Sequence, residues 1–116
     1  MALPDLDPEQ RAAALEKAKQ ARRIRAELKQ MLKSGEVSLR DVLDRAGTAE
    51  PLAKMRVLDV VESMPSYGKI KARRLMERLE IAQSRRLQGL GPKQRAALLD
   101  VFEGGHHDEE HDEDEA

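Results

Sequence analysis

No stretch of this chain alternates apolar with polar residues among β-branched side chains, as a half-buried strand requires. Its apolar residues are mainly Leu, Met, Ala and Val, and they recur three and four positions apart, the spacing of one helix face. An all-α fold is therefore predicted, and proline and glycine divide it into helices. Asp7 reads as an N-cap, with Pro8 at the first helical position and Gln10 completing a capping box. This helix is expected to reach about Lys33, where Gly35 offers a left-handed end. Its length of about 26 residues would span about 39 Å. Ile24, Leu28, Met31 and Leu32 form an apolar seam for packing on a core, whereas the first half offers alanines and Leu15, which bury little area.

Ser38 and Asp41 make a second capping box before a short helix, Leu39 to about Ala46, that ends at Gly47. Thr48 is expected to cap a segment reaching about Ser63. Leu52, Met55, Leu58 and Val61 are its core stripe, and a break is expected near Arg56. Pro65 stops that segment and Gly68 permits a tight turn. The next helix is expected from about Lys69 to Leu79, with Ile70, Ala72, Leu75, Met76 and Leu79 on its apolar face. After a short turn with two glycines, Pro92 opens a last helix to about Phe102, with Leu98, Leu99 and Phe102 facing inward. Three parts result. Residues 1–34 are an N-terminal cap and long basic helix, 35–103 a compact helical domain, and 104–116 a tail expected to be disordered.

The net charge of −1 conceals a strong asymmetry. Residues 104–116 hold 7 acidic groups and no Lys or Arg, so residues 1–103 carry 21 basic against 15 acidic groups, a net of +6. Residues 11–33 carry +6 and residues 69–95 carry +7, whereas residues 34–68 carry −2. Two basic blocks around a mildly acidic middle point to a polyanionic partner more than to a small substrate. The plainer reading is that such helix faces are merely solvated. On the first helix, Lys19, Arg22, Arg25, Lys29 and Lys33 form a basic stripe. It is either a solvated face or an arm laid against phosphates. Aromatic residues are 2% of the chain, which argues against a base-stacking surface for single strands.

Other functions are excluded more directly. Cysteine is absent, so there is no disulfide framework, thiolate metal site or thiol nucleophile. All three histidines, His106, His107 and His111, lie in the tail. No nucleophile–base pair, nucleophile elbow or Walker-type glycine loop is present, so neither catalysis nor a cofactor is expected. His107 and His111, four apart among carboxylates, would bind metal only weakly and unselectively, and a solubilising or self-competing acidic tail is the fuller reading. No stretch approaches the roughly 18 apolar residues of a membrane span. The acidic MALPDLDPEQ start is unlike a signal peptide, which makes cytoplasm or nucleoid the expected compartment.

Two segments carry the strongest local signals. In the first, Pro65-Ser66-Tyr67-Gly68 joins two helices, and the second helix begins Lys69-Ile70-Lys71. Backbone N–H groups at a helix start carry partial positive charge. A residue without a side chain lets a phosphate approach them, and Lys69, Lys71, Arg73 and Arg74 add full charges. The competing reading is plain punctuation between helices. The second segment is Ser84-Arg85-Arg86-Leu87-Gln88-Gly89-Leu90-Gly91, continued by Pro92, Lys93 and Arg95. Arginine can fork onto a phosphate or enter a narrow minor groove, although a capped connector would look similar.

These residues resemble the actinobacterial integration host factor family, a nucleoid-associated group. The resemblance rests on ALPDLDPEQRAAALEKA at 2–18, KMRV at 54–57, MPSYGKIKARRLMERLEI at 64–81 and SRRLQGLGPKQRAALL at 84–99, in order over most of residues 1–103. It implies a long N-terminal helix and a compact domain bearing a helix-two-turn-helix. It also implies duplex DNA binding with little sequence preference, DNA bending and condensation, nucleoid organisation, and stimulation of phage integration in some members. Carried over by position, the helix-two-turn-helix contact falls on Met64, Pro65, Ser66, Tyr67, Gly68, Lys69, Ile70 and Lys71. A second contact, the lid, falls on Ser84, Arg85, Arg86, Leu87, Gln88, Gly89, Leu90, Gly91, Pro92 and Lys93. Arg22, Arg25, Lys29 and Arg73 are candidate further phosphate contacts. The family usually has Arg at the position of Gln88, often Gly or Lys at Ser66, and Val at Tyr67. Double-stranded DNA and phage integrase complexes are the implied partners, with a monomer expected in solution. A structured-RNA or ribosome-associated binder is the alternative, because this hairpin type also serves ribosomal RNA. A protein-interaction scaffold on the first helix is weaker, because that helix lacks sustained heptads.

Overall fold

The computed structural model describes residues 7–104. The first six residues and the acidic tail beyond Gly104, whose disorder was an expectation of the sequence, lie outside the described residues. Helix α1 spans Pro8–Ser34. Its start is the expected capping box: the Gln10 N–H donates to Asp7 Oδ1 at 2.7 Å and the Asp7 N–H to Gln10 Oε1 at 3.1 Å. Its end is the expected left-handed glycine, Gly35 at φ 84°. There the Gly35 and Glu36 N–H groups donate to the Leu32 and Met31 carbonyls at 3.1 and 2.9 Å, closing a Schellman motif.

The buried seam of α1 begins one turn later than its periodicity predicts. Leu28 and Leu32 are buried and Met31 is partly so, but Ile24 is 42% exposed and Leu15 is 64% exposed. The neighbour over that turn is α3, Glu50–Ala53, a single turn of helix. Its Glu50 and Pro51 leave an open groove beside Ile24 instead of a packed wall.

Helix α2, Leu39–Ala46, has the predicted Ser38–Asp41 capping box, both bonds at 3.1 Å. The Ser38 backbone N–H, together with its hydroxyl, holds the Asp41 carboxyl below the ordinary range. Thr48 does not cap the next segment. Its Oγ1 donates back to the Arg45 carbonyl at 3.4 Å, and α3 starts from Ala49 without a side-chain cap. The chain then breaks at residues 54–56 before α4, Val57–Glu62, whose N-cap is Arg56. The predicted break near Arg56 is present, and its cause is tertiary. Arg56 forms an antiparallel bridge with Arg86, in which the Val57 N–H donates to the Arg85 carbonyl and the Leu87 N–H to the Met55 carbonyl, both at 2.8 Å. A bridging residue has its backbone extended, so the helix must stop there.

Helix α5 spans Lys69–Arg78 and buries Ala72, Leu75 and Met76. Ile70, expected on this face, is 68% exposed. Two residues turn a helix by about 200°, which places Ile70 opposite Ala72. The chain leaves α5 through Glu80 at φ 59°, with the Ile81 N–H donating to the Met76 carbonyl at 2.9 Å. After a 3₁₀ turn at Leu87–Gly89, α6 runs Pro92–Gly104 and buries Leu98, Leu99 and Val101.

A single core joins Leu28 and Leu32 of α1 to the buried faces of α2, α4, α5 and α6. Leu32, Met76 and Leu98 are wholly buried, each contributing about 1.5–3 kcal/mol by leaving water. Two ion pairs fasten α6 to α2. The Arg40 guanidinium forks onto Glu103, both bonds 2.8 Å, and Arg95 Nη2 lies 2.7 Å from Asp44 Oδ1. The first half of α1 is exposed along its length, and the molecule measures 57 × 31 × 24 Å.

Candidate nucleic-acid interface

The turn between α4 and α5 is built around two buried side chains. Met64 and Tyr67 are 8% and 7% exposed. Tyr67 packs on Phe102 of α6 with ring centroids 5.0 Å apart, and its N–H donates to the Met64 carbonyl at 3.0 Å. Pro65, Ser66, Gly68, Lys69 and Ile70 remain exposed between and after these anchors. Of the eight residues carried over to this contact, Met64 and Tyr67 are therefore buried anchors that hold the others in place.

The residue that reverses the chain is not the glycine. Ser66 adopts φ 69°, whereas Gly68 is extended at φ −131° and ψ −167°. Gly68 instead serves as the N-cap of α5, with no side-chain cap bond. The first N–H groups of a helix have no intrahelical acceptor, and the first turn of α5 contains no acidic residue. An uncapped helix start thus sits beside the exposed Lys69. Lys71 is half-buried, with Nζ 4.7 Å from the Tyr67 ring centroid, so its ammonium is held near the turn by a cation–π contact.

The segment between α5 and α6 is pinned at its centre and exposed on both sides. Leu87 is 6% exposed and Leu90 packs against the core. Ser84, Arg85, Arg86, Gln88 and Gly89 are exposed around them. Arg85 Nη1 donates to the Gly89 carbonyl at 2.9 Å, which curls the turn on itself. Arg86 Nη1 donates to the Lys54 carbonyl at 2.7 Å. Each guanidinium has five N–H donors, so one carbonyl apiece leaves the fork available to a phosphate. At the far end Gly91 donates to Gln94 Oε1 at 3.1 Å, Pro92 begins α6, and Lys93 is exposed. Arg85, Arg86, Gln88 and Gly89 also border a shallow hollow of about 330 Å³.

The four further cations separate. Arg25 and Lys29 meet Arg86 around one cleft, joined there by Lys54 and Arg56, which charge counting along the chain did not single out as contacts. The signal was KMRV at 54–57, and it became legible only when the bridge to Arg86 brought it beside the lid. Arg22 lies along the α1–α3 groove, and Arg73 is exposed on α5. Among the described residues no cluster of His, Asp or Glu could hold a metal ion, and no helix is long and apolar enough to cross a membrane.

Comparison with known proteins places this arrangement. The S13-like H2TH domain family matches residues 32–102. Integration host factor from Mycolicibacterium smegmatis (strain ATCC 700084 / mc(2)155) is 57% identical over 89% of this chain and 98% of its own. The Mycobacterium tuberculosis (strain ATCC 25618 / H37Rv) protein of that name is 57% identical over 88% of this chain and 97% of its own. Integration host factor from Streptomyces coelicolor (strain ATCC BAA-471 / A3(2) / M145) is 52% identical over 88% of this chain and 95% of its own. The solved structure of sIHF bound to an 8bp palindromic DNA superimposes with a TM-score of 0.74 at 45% identity, covering 75% of this chain and 98% of that one. An uncapped basic helix start, a pinned arginine turn and identity at this level over nearly the whole length of three relatives lead to one assignment: the chain belongs to the actinobacterial integration host factor family.

Proposed function

We propose that this protein binds double-stranded DNA through its phosphates, with little sequence preference, and shapes the duplex as a nucleoid component. The observation that carries this reading is the 45% identity and TM-score of 0.74 to sIHF bound to DNA, supported by the exposed cations at the two turns. The helix start at Lys69 and the lid arginines are the two contact surfaces. Both offer N–H donors and positive charge, which suit phosphates and carry no base code. A rigid body that grips a duplex at two separated places can hold it bent. No catalytic step is assigned to any residue. DNA bound to a close structural relative favours duplex DNA over structured RNA.

The test is fluorescence anisotropy with a labelled duplex across a salt series. With about 4 to 6 phosphates neutralised, log K falls against log salt with a slope of about −0.9 for each. Changing the duplex sequence alters affinity less than about tenfold, below the usual specific-to-non-specific ratio. Lys69→Ala and Arg86→Ala each weaken binding about five- to hundred-fold, the loss of about 1–3 kcal/mol for a charged hydrogen bond. Both retain their helicity. A flat salt response overturns the phosphate mechanism, unaltered binding by both variants removes these two surfaces, and structured RNA competing as well as duplex restores the alternative.

A further inference from the structure

Beside the lid, α1 borders a cleft of about 390 Å³. Arg25 and Lys29 of α1 line it together with Lys54 and Arg56 from the break, Asp59 from α4 and Arg86 from the lid. Two of the five cations carry a counter-ion. Arg56 Nη2 lies 3.2 Å from Asp59 Oδ1, and Lys54 Nζ lies 3.1 Å from Glu50 Oε2. Arg86 is held by the neutral Lys54 carbonyl at 2.7 Å, which fixes its position and leaves its charge uncompensated. Arg25 and Lys29 have no carboxylate partner among the described residues. Three uncompensated cations thus share one concavity whose one acid, Asp59, is already paired with Arg56, so the net charge facing it is positive. The lining is polar apart from Met55, so a ligand with an apolar body finds little to rest on.

We infer that this cleft is a third phosphate site, which takes a backbone phosphate of the same duplex that lies on the lid. The inference rests on the DNA-binding reading above. Arg86 is common to the lid and the cleft, so a strand contacting the lid continues into the cleft with no gap in positive charge. The Arg56–Arg86 bridge supplies the geometry. It locks the lid to the residues before α4, so cations from three separate stretches of sequence keep fixed relative positions. Arg25 and Lys29 are one helical turn apart, which puts both on the face of α1 that looks onto this bridge. Arg25 and Lys29 flank the buried Leu28, so the turns of α1 that pack on the core also carry charge to the duplex.

The test uses the full chain with Arg25→Gln/Lys29→Gln, and with Lys29→Gln alone because Lys29 is exposed and Arg25 is half-buried. The expected result is a salt slope smaller by about 0.9 to 1.8, one to two phosphate contacts, with equal loss on two unrelated duplexes and an unchanged circular dichroism spectrum. In a second arm, tripolyphosphate is titrated at constant ionic strength while the amide signals of residues 54–59 are followed by NMR. Shifts in the wild type that vanish in the double variant identify the cleft as a phosphate site. A reduced slope without tripolyphosphate shifts also supports the inference and makes the duplex backbone the sole source. Tripolyphosphate shifts with an unchanged slope overturn it in favour of a free polyphosphate ligand, and neither effect overturns it outright. Lys69→Ala, outside the cleft, serves as the control. If it still weakens DNA binding when the double variant does not, only the third site is lost.

Discussion

Among the described residues two with side chains adopt the left-handed conformation, Ser66 at φ 69° and Glu80 at φ 59°. That conformation costs an L-residue about 1–2 kcal/mol, and a β-branched side chain bears it worst. Ser66→Gly should relieve the strain while adding about 0.4–1 kcal/mol of unfolded-state freedom. Urea unfolding is therefore expected to show stability retained or slightly raised, and Ser66→Val is expected to lose more than about 1 kcal/mol. Equal stability of the two variants would show that the turn is not held in this conformation. The turn itself was legible, since Pro65 and Gly68 announce it. Its hinge was not, because the pattern favours the glycine, and only the tertiary anchoring of Met64 and Tyr67 forces Ser66 to reverse the chain. Gln88 stands exposed on the lid between Leu87 and Gly89. Gln88→Arg is expected to raise duplex affinity at low salt, measured by the same anisotropy titration, and unchanged affinity would remove this position from the contact.

Among the elements, those with local causes were readable. The capping boxes at Asp7–Gln10 and Ser38–Asp41 and the Gly35 terminus depend on residues within one turn of each other, and each formed as its spacing predicts. A break near Arg56 was legible but its boundaries were not, because its cause lies at Arg86 and no local pattern connects them. The exposure of Ile24 follows from the shortness of α3, again a tertiary fact. The clasp of α6 on α2 gives an element-scale prediction. The Arg40 guanidinium, hydrogen-bonded to Glu103, holds that carboxyl below the ordinary range. A carboxyl whose folded pKa is depressed adds stability above its unfolded value, and the stability is lost as pH falls through the folded value. Glu103→Gln should therefore lower the melting temperature near pH 7, and the gap to wild type should close as pH drops below about 4. Asp41 titrates in the same range, but it does so in both proteins, so the difference isolates the clasp. A gap that persists in acid would assign the loss to packing.

At the scale of the whole molecule the charge is divided between a body and an end. Residues 1–103 carry a net of +6, and the full chain −1. Residues 1–103 alone should bind duplex DNA several-fold more tightly than the full chain at low salt. The advantage should shrink with added salt, because screening shortens the reach of the acidic residues from about 30 Å at 0.01 M to about 8 Å at 0.15 M. Equal affinities through a salt series would leave those residues no part in binding. The bridge between Arg56 and Arg86 has a different kind of consequence. The backbone hydrogen bonds of the caps and turns join residues within one or two turns of each other, so their amides exchange with deuterium whenever a helix end frays. The bonds from Val57 to Arg85 and from Leu87 to Met55 join residues about thirty apart in sequence. They open only when the lid departs from the body. Those two amide protons therefore act as a clock for lid motion, slow while the arginine turn is seated and fast once it lifts, against a background set by the helices.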